Sequence, residues 1–181
     1  MAALDAHFHD ERGGYFFTPS DGEVLIARSK SGADGALPSG NAVATLVHLR
    51  LHAFTGDDIH RIRAEEQLRL YHGAAAEQPF AYTAYLEALE WYAETPTEVV
   101  IVGQEESDDA RALWQVARAT YLPRHVLVRT RPDDPDPPAP ARDRPARGGH
   151  ATAYVCRNFT CSAPVTDPAE LVRLLAGSTR P

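Results

Sequence analysis

Asp21 and Glu23 stand two residues apart in "TPSDGEVLIAR", Arg28 closes that run, and Asp34 follows in "SGADGALPSGN". Carboxylates near one another can act as general acid and base on a glycoside or on an epimerisable sugar. Asp21, Glu23 and Asp34 are therefore the catalytic candidates. Arg28, Ser39 and Asn41 are the substrate-binding candidates. Ser39 and Asn41 precede or open a helix, whose free N–H groups can receive a hydroxyl or an anion. Each has a structural alternative. Asp21 in a turn and Glu23 at its edge are ordinary solvated carboxylates, with Arg28 paired to one of them. Ser39 can cap, Asn41 can bond locally, and Gly35 and Gly40 can supply turn geometry.

Other residue types raise further chemistry. His7 and His9 flank Phe8; a histidine base suits epimerisation, and two histidines begin a metal site, but no third ligand is evident. Surface histidines are the plainer reading. Cys156 and Cys161 can form a disulfide, bind a metal with His150, or serve in redox chemistry. Their spacing fits no standard zinc pattern, and Cys156 in an apolar run reads as a buried core residue. Tyr82, Tyr85, Trp91 and Tyr92 can stack on sugar rings or fill a core. Gly103 ends a strand, but no G-x-G-x-x-G is present, and Glu105, Glu106, Asp108 and Asp109 repel phosphate, which excludes a nucleotide site. No metal and no cofactor are expected.

These residues need elements to position them. "MAALDAHF" reads as the last turns of a helix. Tyr15 to Thr18 and Glu23 to Arg28 read as two strands around an Asp-Gly turn. Four helices follow: Gly40 to Phe54 with Ser39 as N-cap, Asp57 to Ala75, one opened by Pro79, and Asp108 to Tyr121 with Ser107 as cap. The first has apolar residues over more than one stripe (Val43, Leu46, Val47, Leu49, Leu51, Phe54), which predicts burial on two sides. The second carries Ile59, Ile62, Leu68 and Tyr71 on one face. The third is aromatic all round and the fourth amphipathic. Alternation of enclosed and wet helices predicts two concentric layers rather than a simple bundle.

Continuous β-branched runs at Glu98 to Gly103, His125 to Thr130 and Thr152 to Arg157 predict strands, the first two flanking a helix and so parallel. Arg131 to Gly149, rich in proline and opposed charge, reads as a flexible loop. Asp167, Pro168 and Glu170 open a last helix ending at Gly177. The fold class expected is mostly α with a small β component. It takes the form of a partial (α/α)6 toroid, with a short parallel or mixed sheet inserted near the C-terminus. Residues 1–181 are expected to form a single domain.

The 181 residues are 44% hydrophobic with a net charge of −7. That is enough apolar material for a core, and the acidic balance argues against nucleic acid as a partner. No apolar run is long enough to span a bilayer, and the N-terminus lacks the features of a signal peptide. A cytoplasmic location is the default.

Several stretches together resemble one family: "GGYFFTPSDGEVLIARSKSGADGALPSGNAVA", "VVIVG", "YLPRHVLV" and "AYVCRNFTCSAPVTDPAEL". They look like the C-terminal end of the spermatogenesis-associated, thioredoxin-domain-containing family. Members of that family are similar, in their barrel part, to six-hairpin glycosidases and N-acylglucosamine 2-epimerases. The resemblance implies the last hairpins of such a barrel, with carbohydrate-related chemistry of epimerase or glycosidase type in a full-length parent. It implies a saccharide as ligand, and a missing barrel half or self-association as partner. The thioredoxin-like domain of the family has no match here, and no C-x-x-C is present. The chain is therefore expected to be a C-terminal piece, inactive by itself. The alternatives are a non-catalytic interaction or scaffold module, and an accessory to thioredoxin-like thiol chemistry.

Overall fold

The computed structural model describes residues 1–23, 26–158 and 160–177. The chain divides into two compact units, Met1–His52 with Asp57–Glu94, and Ala53–Gly56 with Thr95–Pro181.

The first unit is helical: α1 (Ala2–His7), α2 (Gly40–Thr55, as far as His52), α3 (Asp58–Glu77) and α4 (Thr83–Ala93), the last entered through a 3-10 turn at Pro79–Ala81. Asp57 caps α3 by accepting from the Ile59 N–H at 3.0 Å. A small core joins Ala42 of α2, Leu68 and Ala75 of α3 and Tyr85 of α4. The two expected strands before α2 take another form. Tyr15 makes one bridge, to His9, and residues 16–23 carry no strand; Val24 and Leu25 of the second lie outside the described residues. The side chain of Asn41 explains the difference at Tyr15. It accepts from the Tyr15 N–H at 2.7 Å and donates to the Tyr15 carbonyl at 3.0 Å, taking both groups that a neighbouring strand would use.

α2 differs from its expected burial. Its buried residues are Asn41, Ala42, Ala44, Thr45, His48 and Leu49, a single stripe at three- and four-residue spacing. Val43, Val47 and Phe54 are exposed. The polar members of the stripe find hydrogen-bond partners inside, whereas Val43 and Val47 on another face are partly exposed. On α3, Ile59 and Ile62 are likewise exposed, and Ala64, Gln67, Leu68 and Ala75 are inside. α4, expected to be enclosed all round, buries a single stripe, Tyr85, Ala88 and Trp91, and leaves Leu86 and Tyr92 exposed.

The second unit is built on a four-stranded sheet in the order β2-β1-β3-β4, from β1 (Thr97–Val102), β2 (His125–Thr130), β3 (Thr152–Arg157) and β4 (Thr160–Cys161). β1 runs parallel to β2 and antiparallel to β3. Helix α5 (Asp108–Ala119) connects β1 to β2, and α6 (Pro168–Ala176) follows β4. Val99, Ile101, Ala153 and Val155 form one core with Leu113 of α5 and with Leu171 and Leu175 of α6. Asp167 caps α6 by accepting from the Ala169 N–H at 3.0 Å. Ser107 makes no side-chain cap on α5; its hydroxyl donates instead to the Gln104 carbonyl.

Residues 131–149, expected as a flexible loop, lie against the sheet. A 3-10 turn at Ala139–Ala141 buries Pro140 and Ala141. Tyr154 Oη–H donates to the Pro145 carbonyl at 2.7 Å, Thr130 Oγ1–H donates to Asp134 at 2.9 Å, and Arg144 pairs with Glu98 at 2.8 Å. The register supplies the reason. Val128, Val100 and Tyr154 stand in one row across three strands, on the side opposite Val99 and Ile101. Without the segment that row would face water. Cover on both faces also explains why these strands read as continuous apolar runs.

Gly103 ends β1 with its Cα against the chain: a Cβ there would meet Ala151 Cβ at 2.7 Å and Ala110 Cβ at 3.1 Å. Its missing side chain serves close packing. Cys156 and Cys161, register partners on β3 and β4, are joined by a disulfide with a Cα–Cα distance of 3.9 Å. Cys156 is buried, as its apolar run implied, but the pair is also cross-linked, which the spacing alone did not favour. His150 stands beside Asp109, at 3.9 Å, and not beside the sulfurs.

Candidate functional site

Asp34 sits in the loop before α2 and ties three segments together. Its Oδ1 accepts from the Ser39 N–H at 2.8 Å. Its Oδ2 accepts from Thr83 Oγ1–H at 2.8 Å and the Ala84 N–H at 2.9 Å, at the start of α4. Burial opposes its charge, but the bonds from Ala84, Ser39 and Thr83 outweigh it and hold the carboxyl below its ordinary range. Ser39 is buried, and its hydroxyl donates to the Ser31 carbonyl at 3.1 Å. Asn41 also donates there, at 3.0 Å. The structure thus gathers Asp34, Ser39 and Asn41 into one network centred on the loop, with their polar groups turned onto the chain.

The remaining candidates lie elsewhere. Asp21 is exposed and meets His7 Nδ1 at 3.2 Å. Glu23 is exposed. Arg28 donates to the carbonyls of Thr18 and His7 and lies over the Phe16 ring at 4.2 Å. It ties the 7–18 segment together rather than pairing with either carboxylate. Among the aromatics, Tyr85 is buried and its hydroxyl donates to the Leu68 carbonyl at 2.8 Å. Trp91 is buried under Arg50, and Tyr92 is exposed with its hydroxyl on Glu65 at 3.0 Å. Among the described residues, no group of three His, Cys, Asp or Glu side chains could hold a metal ion.

The densest polar constellation was not foreseen from the sequence. It runs through Asp5 of α1, Tyr15, His48 of α2 and His60 of α3. Tyr15 Oη–H donates to Asp5 Oδ1 at 2.5 Å, and Tyr15 Oη also lies 2.6 Å from His48 Nε2. His48 Nδ1 is 3.0 Å from His60 Nδ1. Donor and acceptor counting orders the chain. A phenol has one proton. Given to Asp5, it leaves the Tyr15 oxygen to accept from His48 Nε2–H. His48 Nδ1 is then bare and accepts from His60 Nδ1–H. Every group is satisfied in one direction, from half-buried His60 to half-buried Asp5.

His48 is fully buried. Burial is the main cause that pushes its pKa down to about 4, and neighbouring His60 and Arg63 add to it against the pull of Asp5. The imidazole is therefore neutral at pH 7, as the chain requires. Burial, then the Asp5 carboxylate, pushes the Tyr15 hydroxyl far above its ordinary value, so it stays a donor. A second cluster adjoins it. Arg63 Nη1 donates to His9 Nε2 at 2.8 Å and to Glu66 at 3.0 Å. A guanidinium only donates, so His9 Nε2 is the acceptor there and cannot also donate to Glu66, 3.2 Å away. His9, expected at the surface, is mostly buried in this cluster. Beside it, a depression of about 330 Å³ is lined by Glu11, Arg12, Gly13, Glu66, Arg69 and Leu70. A signal for His48 was present: Asn41, Thr45 and His48 recur at helical spacing within an otherwise apolar helix.

Proteins named spermatogenesis-associated protein 20 match nearly the whole chain. Those of Homo sapiens, Mus musculus and Rattus norvegicus are 36%, 34% and 33% identical to it over 180 residues. The chain is homologous to these proteins. The matches take in 94% of this chain, which spans 22% of the length of the curated relatives. No family model matches the chain, and no solved structure does. The relationship covers both units, since 94% of the residues cannot fit within either alone.

Proposed function

We propose that this chain contributes the closing helical hairpins of a carbohydrate-related, six-hairpin barrel of epimerase or glycosidase type. In this reading the chain turns over sugar only within a complete barrel. The observation that carries it is the inside-out character of α2. Its buried stripe is half polar, Asn41, Thr45 and His48 beside Ala42, Ala44 and Leu49, while Val43 and Val47 on another face are 46% and 37% exposed. A helix with a satisfied polar stripe and a bare valine stripe suits enclosure on both sides, as an inner helix of a two-layer ring. Asp34, which accepts from the Ser39 N–H, and Ser39 and Asn41, which both donate to the Ser31 carbonyl, fit the part of a rim that shapes the mouth of a cavity whose other walls come from further chain.

The test is a saccharide panel of aldoses, ketoses, N-acylated amino sugars and glycosides, offered to a full-length homologue and to this chain. Turnover or binding by the homologue, with none by the chain, is expected. A homologue inert to the whole panel, or turnover by the chain itself, overturns the reading. The same bare stripe also favours a second reading, a non-catalytic module that docks on a partner. An inert homologue that binds this chain through α2 is its outcome.

A further inference from the structure

The second unit carries a site that sugar chemistry leaves unused. Glu98, Cys156 and Cys161 stand in one row across β1, β3 and β4. Side chains in such a row share a face of the sheet. Beside the row a cavity of about 180 Å³ is lined by Thr95, Glu98, Arg144, Asn158 and both cysteines. The two sulfurs are not equivalent: Cys156 is 3% exposed, whereas Cys161 is exposed. Arg144 Nη2 lies 3.6 Å from Cys161 Sγ and 2.8 Å from Glu98. Arg144 is mostly buried, and its other terminal nitrogen donates to the Pro140 carbonyl. The guanidinium is therefore fixed in place by the segment that covers the sheet.

We propose that the Cys156–Cys161 pair is a thiol–disulfide exchange site in which Cys161 is the sulfur that meets an external dithiol and Arg144 holds its thiolate. One thiolate of the dithiol attacks exposed Cys161 Sγ. The S–S bond breaks, Cys156 leaves as a thiolate that takes a proton, and a mixed disulfide joins the reagent to Cys161. The second thiol of the reagent, deprotonated, then attacks the reagent's own sulfur in that bond. Cys161 is released as a thiolate beside Arg144, and the reagent departs as its disulfide. Two electrons pass to the protein, whose disulfide becomes two thiols while the dithiol is oxidised. In reverse, the Cys161 thiolate attacks an external disulfide and buried Cys156 resolves the intermediate. A cation at a sulfur favours its thiolate, and exposure admits the partner; Cys161 has both and Cys156 neither. Arg144 and Glu98 are the charged residues lining the cavity, so their substitution acts in opposite directions. Arg144→Gln removes the cation, whereas Glu98→Gln frees it from its carboxylate and strengthens its hold on the sulfur. The site stands independently of the barrel reading.

The experiment uses the purified whole chain, with dithiothreitol as the dithiol and iodoacetamide alkylation read by mass spectrometry. Expected are no reactive thiol in the oxidised protein and two after reduction without loss of the circular dichroism of the native fold. Cys161 should be alkylated about tenfold faster than Cys156, as thiolate fraction and access dictate. In a Cys156→Ser chain, the pH midpoint for Cys161 alkylation should fall below the ordinary thiol value of about 8.5. It should rise by about one pH unit in Arg144→Gln and fall in Glu98→Gln, as a charge at this distance implies. Free thiols in the air-oxidised protein, reduction only on unfolding, Cys156 reacting first, or a midpoint unmoved by either substitution would each overturn the proposal. If Arg144→Gln loosens residues 131–149, the Glu98→Gln midpoint decides.

Discussion

His48 makes α2 sensitive to pH in a window that the carboxylates do not share. In the unfolded chain it titrates near its ordinary value of 6.5, and in the folded chain at about 4. Between these values the unfolded state binds the extra proton, so stability falls as pH drops from about 6.5 to about 4 and is constant below. At ~1.4 kcal/mol for each tenfold change, the loss is on the order of 3 kcal/mol. The groups facing the imidazole are Asp5, Tyr15, His60 and Arg63. Asp10, Asp34 and Asp109, held below their ordinary range, contribute stability that is lost only at lower pH, through the acid end of the carboxylate range. Urea midpoints at pH 7 and pH 4.5 should therefore differ in the native protein and converge in His48→Gln. Tyr15→Phe should cost about 1–3 kcal/mol at pH 7, because it strips a buried acceptor from His48 and a donor from Asp5. Equal pH slopes in native protein and His48→Gln would remove His48 from this account. Of this constellation only the helical spacing of Asn41, Thr45 and His48 was legible. Asp5, Tyr15 and His60 come from three other segments, and no local pattern announces that they meet.

At the scale of elements, legibility followed how local the determining physics is. β1 and β3 were readable because a strand covered on both faces has a continuous apolar centre, β2 because of its Val-Leu-Val run although only alternate residues are buried, and α6 because Asp167 and Pro168 form a local start signal. The cover itself was not readable: residues 131–149 have the composition of a loop, and only the sheet row of Val100, Val128 and Tyr154 gives them a place to lie. The strand expected at Tyr15 gave way to a side chain from an element 26 residues away. The candidate site was half legible in the same sense. Asp34, Ser39 and Asn41 do converge, and their convergence joins the entry of α2 to the entry of α4. Asp34→Ala should therefore cost about 1–2 kcal/mol in a denaturant titration, the range for a lost helix-entry carboxylate with several N–H partners. Asp34→Asn, which can still accept, should recover part of it. If Asp34 also acts on substrate in a complete barrel, Asp34→Asn in a full-length homologue abolishes turnover with its melting temperature nearly unchanged; unaltered turnover limits the residue to its structural role.

The whole molecule carries a net charge of −7, so copies repel one another at neutral pH, and self-association has to overcome that repulsion. The exposed stripe of α2 supplies the opposing force. Val43, Val47 and Phe54 recur on one side of the helix, whose other side is already packed. The expected behaviour is a concentration-dependent molar mass in size-exclusion chromatography with light scattering, together with binding of a dye that reports exposed apolar surface. Substituting both Val43 and Val47 by lysine discriminates cleanly, because its electrostatic and apolar effects have opposite signs. Two added positive charges bring the net charge from −7 to −5, which by repulsion alone favours association. Loss of association and of dye binding in the double variant therefore assigns both to the apolar stripe. Stability should change by no more than about 0.5 kcal/mol, since each position faces solvent in the isolated chain. Leu49→Ala on the packed side should instead cost about 2–5 kcal/mol. A wild-type chain that is monomeric at every concentration and dark to the dye would leave α2 without the unsatisfied face that an enclosed helix needs, and the barrel reading would lose the observation that carries it.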